Sequence, residues 1–186
     1  KIIAFGGRVF GTDDPAKYMN SPETPLYRKS EIFYGLNLTR DAIRKNECAI
    51  MVEGYTDLIQ LFQAGIKNVV SVSGTAFTEK HVQQIRRFSS KVYLAYDGDS
   101  AGIKASLRAG YVLLKGGVDP IVIEIPDGMD PDDWIQKDGG TEFKSIGIEK
   151  ASGLLRFHLK TAGFKELSSS ERSNVIKEIL SEAAGI

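Results

Sequence analysis

The chain has 186 residues, 42% of them hydrophobic and 26% charged, and its 24 basic side chains cancel its 24 acidic ones. That length supports one well-buried core, or a domain with a small appendage, and the neutral balance gives bulk electrostatics no vote for nucleic acid. No apolar run is long enough to span a bilayer, no signal-peptide pattern opens the chain, and the single cysteine, Cys48, excludes an internal disulfide framework and suits a reducing cytoplasm.

Residues 1–47 combine Gly6, Gly7 and Gly11 with Pro15, Pro22 and Pro25, and leave room only for short helical pieces near 31–34 and 39–45. This irregular segment is expected to lean on other sequence. The first residue is not Met and sits in a strand-like run, so the chain reads as a piece of a longer protein. From residue 48 onward strands and helices alternate. An apolar run at 48–53 predicts a strand, and the helical spacing of Leu58, Leu61 and Phe62 predicts a helix over 56–64, closed by Gly65. A strand follows at 69–72, then a helix from the Thr78 cap to about 88, a strand at 92–96, and a helix at 100–114 ended by Gly116 and Gly117. A fourth strand at 121–125 stops at Pro126. Single helices between strands imply a parallel sheet with right-handed crossovers, and strands this uniformly apolar imply helices on both faces. Beyond Gly139 and Gly140, helices are predicted at 149–163 and 170–184, the second capped by the serines at 168–170 and carrying an apolar stripe of Val175, Ile176, Ile179 and Leu180.

The acids fall on this scaffold in a pattern. Residues 119–142 hold eight of them against one base, Lys137. Such a patch is either a solvated face or a site for a hard cation. Glu53 ends the first predicted strand, Asp97 and Asp99 end the third, and Asp130, Asp132 and Asp133 follow the fourth. In open α/β sheets the crevice lies beyond the carboxyl ends of the strands, so all three groups share one edge. Asp57, four residues after Glu53 at a helix start, can face the same crevice. That many carboxylates would force protons onto one another near neutral pH unless a cation intervened. Oxygen ligands without a neighbouring His or Cys select Mg²⁺, Mn²⁺ or Ca²⁺ over zinc. Gly54, Gly74 and Gly98 lie beside strand ends, where the backbone turns sharply or admits a ligand, and Gly102 allows close packing just inside a helix.

Glu53-Gly54-Tyr55-Thr56-Asp57, Ala95-Tyr96-Asp97-Gly98-Asp99-Ser100-Ala101-Gly102 and Pro126-Asp127-Gly128-Met129-Asp130-Pro131-Asp132 resemble the Toprim signature in its primase form. Phe5-Gly6-Gly7-Arg8, Lys17-Tyr18-Met19-Asn20-Ser21-Pro22-Glu23-Thr24 and Tyr34-Gly35-Leu36 resemble the stretch that precedes Toprim in bacterial DnaG-type primases. The resemblance implies an α/β fold with a Toprim-like parallel sheet flanked by helices. By it, residues 1–47 end the amino-terminal subdomain of a polymerase core, 48–147 form the Toprim domain, and 148–186 begin a helical subdomain. The implied activity is template-directed synthesis of short RNA primers on single-stranded DNA, by nucleotidyl transfer from NTPs. Glu53, Asp97 and Asp99 match the central catalytic and metal-binding acids, with Asp57, Asp130 and Asp132 supporting them. Arg8, Lys17, Asn20 and Lys29 match positions beside the site that meet nucleotide or nucleic acid. The implied cofactor is Mg²⁺, for which Mn²⁺ can substitute. No zinc is expected here, since one Cys with His81 and His158 cannot build the family's zinc-binding domain. The implied partners are template, NTPs and primer, and the replicative helicase through other parts of the full-length protein, in the cytoplasm at the replication fork. The enzyme rival is a Toprim-type nuclease or topoisomerase domain that cleaves DNA with the same acids.

Overall fold

The computed structural model describes residues 2–8, 18–72 and 74–184. Its centre is a five-stranded sheet in the order β4-β3-β5-β6-β7, where β3 is Ala49–Val52, β4 Val69–Ser71, β5 Lys91–Leu94, β6 Asp119–Val122 and β7 Ser152–Gly153. The first four strands are parallel and β7 alone runs antiparallel, pairing Ile121 with Gly153 and Val122 with Ser152. Ahead of the sheet, β1 (Gly6–Arg8) and β2 (Tyr18–Asn20) form a small antiparallel ribbon.

All four β3 residues are buried because both faces of the sheet are covered. On one face, Ala49 and Met51 join a core with Ile43 of α1 (Leu36–Asn46), Val82 and Ile85 of α3 (Glu79–Ile85), Leu113 of α4 (Ser100–Lys115) and Phe157 of α6 (Leu154–Thr161). On the other, Ile50 and Val52 pack with Leu58 and Leu61 of α2 (Tyr55–Gln63) and with Trp134 and Ile135 of α5 (Pro131–Glu142). Alternate residues of one strand thus feed two cores.

The predicted parallel α/β layout holds, and the departures are local. The helical piece expected at 31–34 is one 3₁₀ turn at Lys29–Glu31, because Tyr34 is extended and exchanges backbone hydrogen bonds with Ser71 at 2.9 and 3.2 Å. The helix expected to reach 88 ends at Ile85. The fourth strand sits two residues earlier than its apolar run, in register with Lys91–Leu94. The helix expected from 149 begins at Leu154, because Ser152 and Gly153 are spent on β7. Helix α5 was not anticipated. Its signals are Pro131 at the first helical position and the Asp130 cap, and Gly139 (φ +80) breaks it. Helix α7 (Ser169–Ala183) starts from a Ser168–Glu171 capping box, and its Ile176 and Leu180 stay exposed.

Candidate metal and nucleotide site

The acids gather because strand ends turn directly into helix starts. After β3 the chain reaches Glu53 and enters α2, with the Gly54 amide donating to Asp57 Oδ2 at 2.9 Å. After β5 it passes Asp97, and Asp99 caps α4 by accepting from the Gly102 amide at 2.7 Å. After β6, Asp130 caps α5 by accepting from the Asp133 amide at 2.7 Å. Each cap satisfies an otherwise orphaned helix donor, and three positive helix ends offset part of the carboxylate charge.

Gly98 and Gly102 allow the loops to meet. A Cβ on Gly98 would lie 2.2 Å from the Pro126 carbonyl oxygen, and one on Gly102 would lie 2.1 Å from that of Asp97. The Gly98 amide also donates to the Met129 carbonyl at 2.8 Å, tying the turn after β5 to the loop that delivers Asp130.

A cleft of about 300 Å³ is walled by Glu53, Asp57, Asp97 and Asp130, with Asn20 of β2 among its walls. Burial, then the charges of Asp97, Asp57 and Asp99, pushes the Glu53 carboxyl up to about 7. Asp57, only 4% exposed, is likewise raised to about 7 by burial and by Asp130, Asp97 and Asp132, against the opposing Gly54 hydrogen bond. Asp97 rises to about 6 through burial and then Asp130, Asp99 and Asp133. Glu53 Oε1 and Asp57 Oδ1 are buried without a hydrogen-bond partner.

Two uncommitted buried oxygens in an all-carboxylate cluster fit a hard cation. Among the described residues, no three acids, His or Cys are yet drawn around one point as a ready-made metal site. Asp99 and Asp132 are outside the cleft wall but close enough to act on Glu53 and Asp57, and Gln136 donates to Asp132 Oδ1 at 2.5 Å. Lys29 lines a larger neighbouring groove of about 860 Å³, and its carbonyl meets His81 Nε2 at 3.0 Å. Arg8 is described only as the end of β1, and Lys17 lies outside the described residues. Sequence reasoning gave no separate role to Tyr55, which walls the cleft and meets Tyr34 edge-on at 5.2 Å.

Residues 50–135 match the Toprim-like family, and residues 1–40 match the amino-terminal domain of the DNA primase catalytic core. Both halves of that pairing are needed, since the acids alone name only the superfamily. The chain belongs to the DnaG-type primase catalytic-core family. A DNA primase of Halalkalibacterium halodurans is 42% identical over 186 residues, 99% of this chain and 31% of that protein. The chain therefore spans about a third of the curated relative. A DNA primase domain from Pseudomonas aeruginosa superposes with a TM-score of 0.88 at 34% identity, over 100% of this chain and 59% of that one. A DnaG primase catalytic domain bound to ssDNA gives a TM-score of 0.84 at 32% identity, covering 100% of this chain and 61% of that one. Among the described residues, no helix is long and apolar enough to cross a membrane.

Proposed function

We propose that this primase core takes part in template-directed synthesis of short RNA primers on single-stranded DNA, forming each phosphodiester bond from a nucleoside triphosphate. The observation that carries the reading is the convergence of Glu53, Asp57, Asp97 and Asp130 on one cleft, with Asn20 of the primase-specific amino-terminal segment in its wall. A relative of the same fold binds ssDNA, which supports a DNA template here.

Glu53, Asp97 and Asp99 would hold divalent cation, with Asp57, Asp130 and Asp132 supporting. When bound, Mg²⁺, or Mn²⁺ in its place, would neutralise the carboxylates and the triphosphate and polarise the α-phosphate. The protein's own contribution is orientation. The caps on Asp99 and Asp130 fix one oxygen of each. Glu53, whose carboxyl burial and neighbouring acids push up to about 7 without an ion, would give up its proton as the cation binds. Asn20 and Lys29 would serve nucleotide or template on the amino-terminal side, as would Arg8 and Lys17. Residues 1–47, 48–147 and 148–186 would act as subdomain end, Toprim domain and the start of a helical region. The replicative helicase would be engaged through other parts of the full-length protein, at the replication fork.

The test is primer synthesis on single-stranded template by the full-length protein carrying Asp97→Ala. Activity is expected to fall by orders of magnitude while the circular dichroism spectrum is retained. Normal synthesis would remove Asp97 from the reaction, and template cutting in place of synthesis by the parent protein would favour a nuclease.

A further inference from the structure

A single 3₁₀ turn has no stability of its own, so Lys29–Glu31 needs partners outside it. Its backbone is held at three points. The Lys29 amide donates to Glu23 Oε1 at 3.1 Å, the Lys29 carbonyl accepts from His81 Nε2 at 3.0 Å, and the Ser30 carbonyl accepts from Thr78 Oγ1 at 2.6 Å. Glu31 then pairs with Lys80 at 2.5 Å and with Arg28 at 3.2 Å. His81 makes the central bond. It is fully buried against the rings of Phe33 and Phe77, at centroid distances of 4.9 and 5.5 Å, and burial lowers its pKa and favours the neutral ring. Both ring nitrogens are committed. The Thr78 backbone amide can only donate, so Nδ1, 3.2 Å away, accepts from it; Nε2 therefore keeps the proton and gives it to the Lys29 carbonyl.

A buried histidine with both nitrogens spent fixes a backbone, and the side chain on that backbone is Lys29. Among the described residues no ion pair uses the Lys29 ammonium, whereas its neighbours Arg28 and Lys80 are both tied to Glu31. Lys29 lines the groove of about 860 Å³, which shares Asn20, Tyr55 and Val72 with the acid cleft. Helix α3, which carries His81, follows Gly74 and Thr75 of the cleft wall. We propose that His81 is a positioning residue for primer synthesis: with Thr78 it clamps the turn Lys29–Glu31 so that the Lys29 ammonium meets a phosphate beside the acid cleft. This role rests on the primer-synthesis reading and on the part given there to Lys29. Phosphate is common to the incoming triphosphate and the template strand. A lysine carries its charge on a flexible stem, so ordering it on a phosphate costs least when its backbone is already fixed.

The test separates the two nitrogens. Gln can place an amide N–H where Nε2 stands, and Asn a carbonyl oxygen where Nδ1 stands, so His81→Gln and His81→Asn each keep one bond. In the full-length protein on single-stranded template, both should lose stability to urea, but only His81→Asn should weaken phosphate binding, by roughly fivefold, with kcat within about twofold. The KM for NTP at saturating template, and the Kd for labelled template by fluorescence anisotropy, tell which phosphate Lys29 meets. Ile85→Val, a loss of core packing in the same helix, should move neither constant. Thr78→Val releases the Ser30 carbonyl and should raise the same constant, while Thr78→Ser should not; this pair decides the matter where the His81 variants fail to fold. In the Lys29→Ala protein, His81→Asn should add less than about twofold, because it acts through Lys29. Equal weakening by His81→Gln and His81→Asn would overturn the clamp. If Lys29→Ala leaves both constants at the parent's values, the role given to Lys29 fails and the clamp with it. If Lys29→Ala weakens either constant while His81→Asn and Thr78→Val do not, or while His81→Asn adds its full effect on top, the reading of Lys29 stands and only the clamp fails.

Discussion

Asp57 is the acid whose replacement should strengthen the fold while harming the site. It is 4% exposed, its Oδ1 has no hydrogen-bond partner, and its carboxyl titrates near 7 against an ordinary 3.8. At about 1.4 kcal/mol per pH unit, that difference corresponds to roughly 4 kcal/mol held against the ionised native state. Side-chain rearrangement and water entry lessen it, so Asp57→Asn should stabilise the ion-free protein by about 1–3 kcal/mol near pH 8, or roughly 3–8 °C in Tm for a chain of this size. The substitution keeps an oxygen to accept from the Gly54 amide, so the α2 cap survives. The sign follows from proton counting. Between about pH 4 and 7 the native carboxyl keeps a proton that the unfolded chain has lost, so stability falls as pH rises through that window. The gain from Asp57→Asn should therefore be large near pH 8 and nearly vanish near pH 4. Urea unfolding followed by circular dichroism, with chelator present, measures both. An equal loss of stability at both pH values would refute the reasoning, because it would make Asp57 a structural hydrogen-bonding group and not a buried charge under strain.

Two further outcomes follow from the same geometry. Gly98→Ala should destabilise by about 3 kcal/mol or more, since its Cβ meets the backbone of Pro126 and Ile125 and not a flexible side chain; Gly153→Ala, with open space around it, should change urea stability little. Mg²⁺ or Mn²⁺ should raise the Tm of the ion-free protein by mass action, more near pH 8 than near pH 5, and stabilisation by zinc alone would contradict the oxygen-ligand chemistry.

The sheet was readable because its strands are short apolar runs between helices of regular spacing, and parallel order follows from that alternation. What escaped the sequence lacked periodicity. Strand β7 is two residues long, and only its pairing with Ile121 and Val122 makes it a strand. Helix α5 begins among the acids, whose density reads as loop; Pro131 and the Asp130 cap were its local signal. The gathering of Glu53, Asp97 and Asp130 was legible from the rule that sites form at strand carboxyl ends. The role of Gly98 was only half visible: a turn glycine could be read from the sequence, but its contact with Pro126 depends on a loop that is distant in sequence. Lys29 lies beside the larger groove because His81 and Thr78 hold the backbone of Lys29 and Ser30, partners 48 to 52 residues away that no local pattern discloses.

The site divides its acids by how they are held. Asp99 and Asp130 each spend an oxygen on a helix cap, so their positions are set by backbone geometry whether or not a cation is present. Glu53 and Asp57 each keep a buried oxygen without a hydrogen bond and have carboxyls pushed up to about 7, although the other oxygen of Asp57 accepts from the Gly54 amide. Anchored acids give precision of placement, and strained ones give the drive to take up positive charge, because a cation relieves burial and repulsion together. A cluster of four anchored acids would bind cation weakly, and four strained ones would unfold or stay protonated near neutral pH. The mixture arises because each strand end differs: β3 passes its acid before the helix cap, while the turns after β5 and β6 place an acid on it. On the proposed reading, charge on a nucleotide would then meet a site whose geometry is already set on two sides and whose remaining sides respond to what binds.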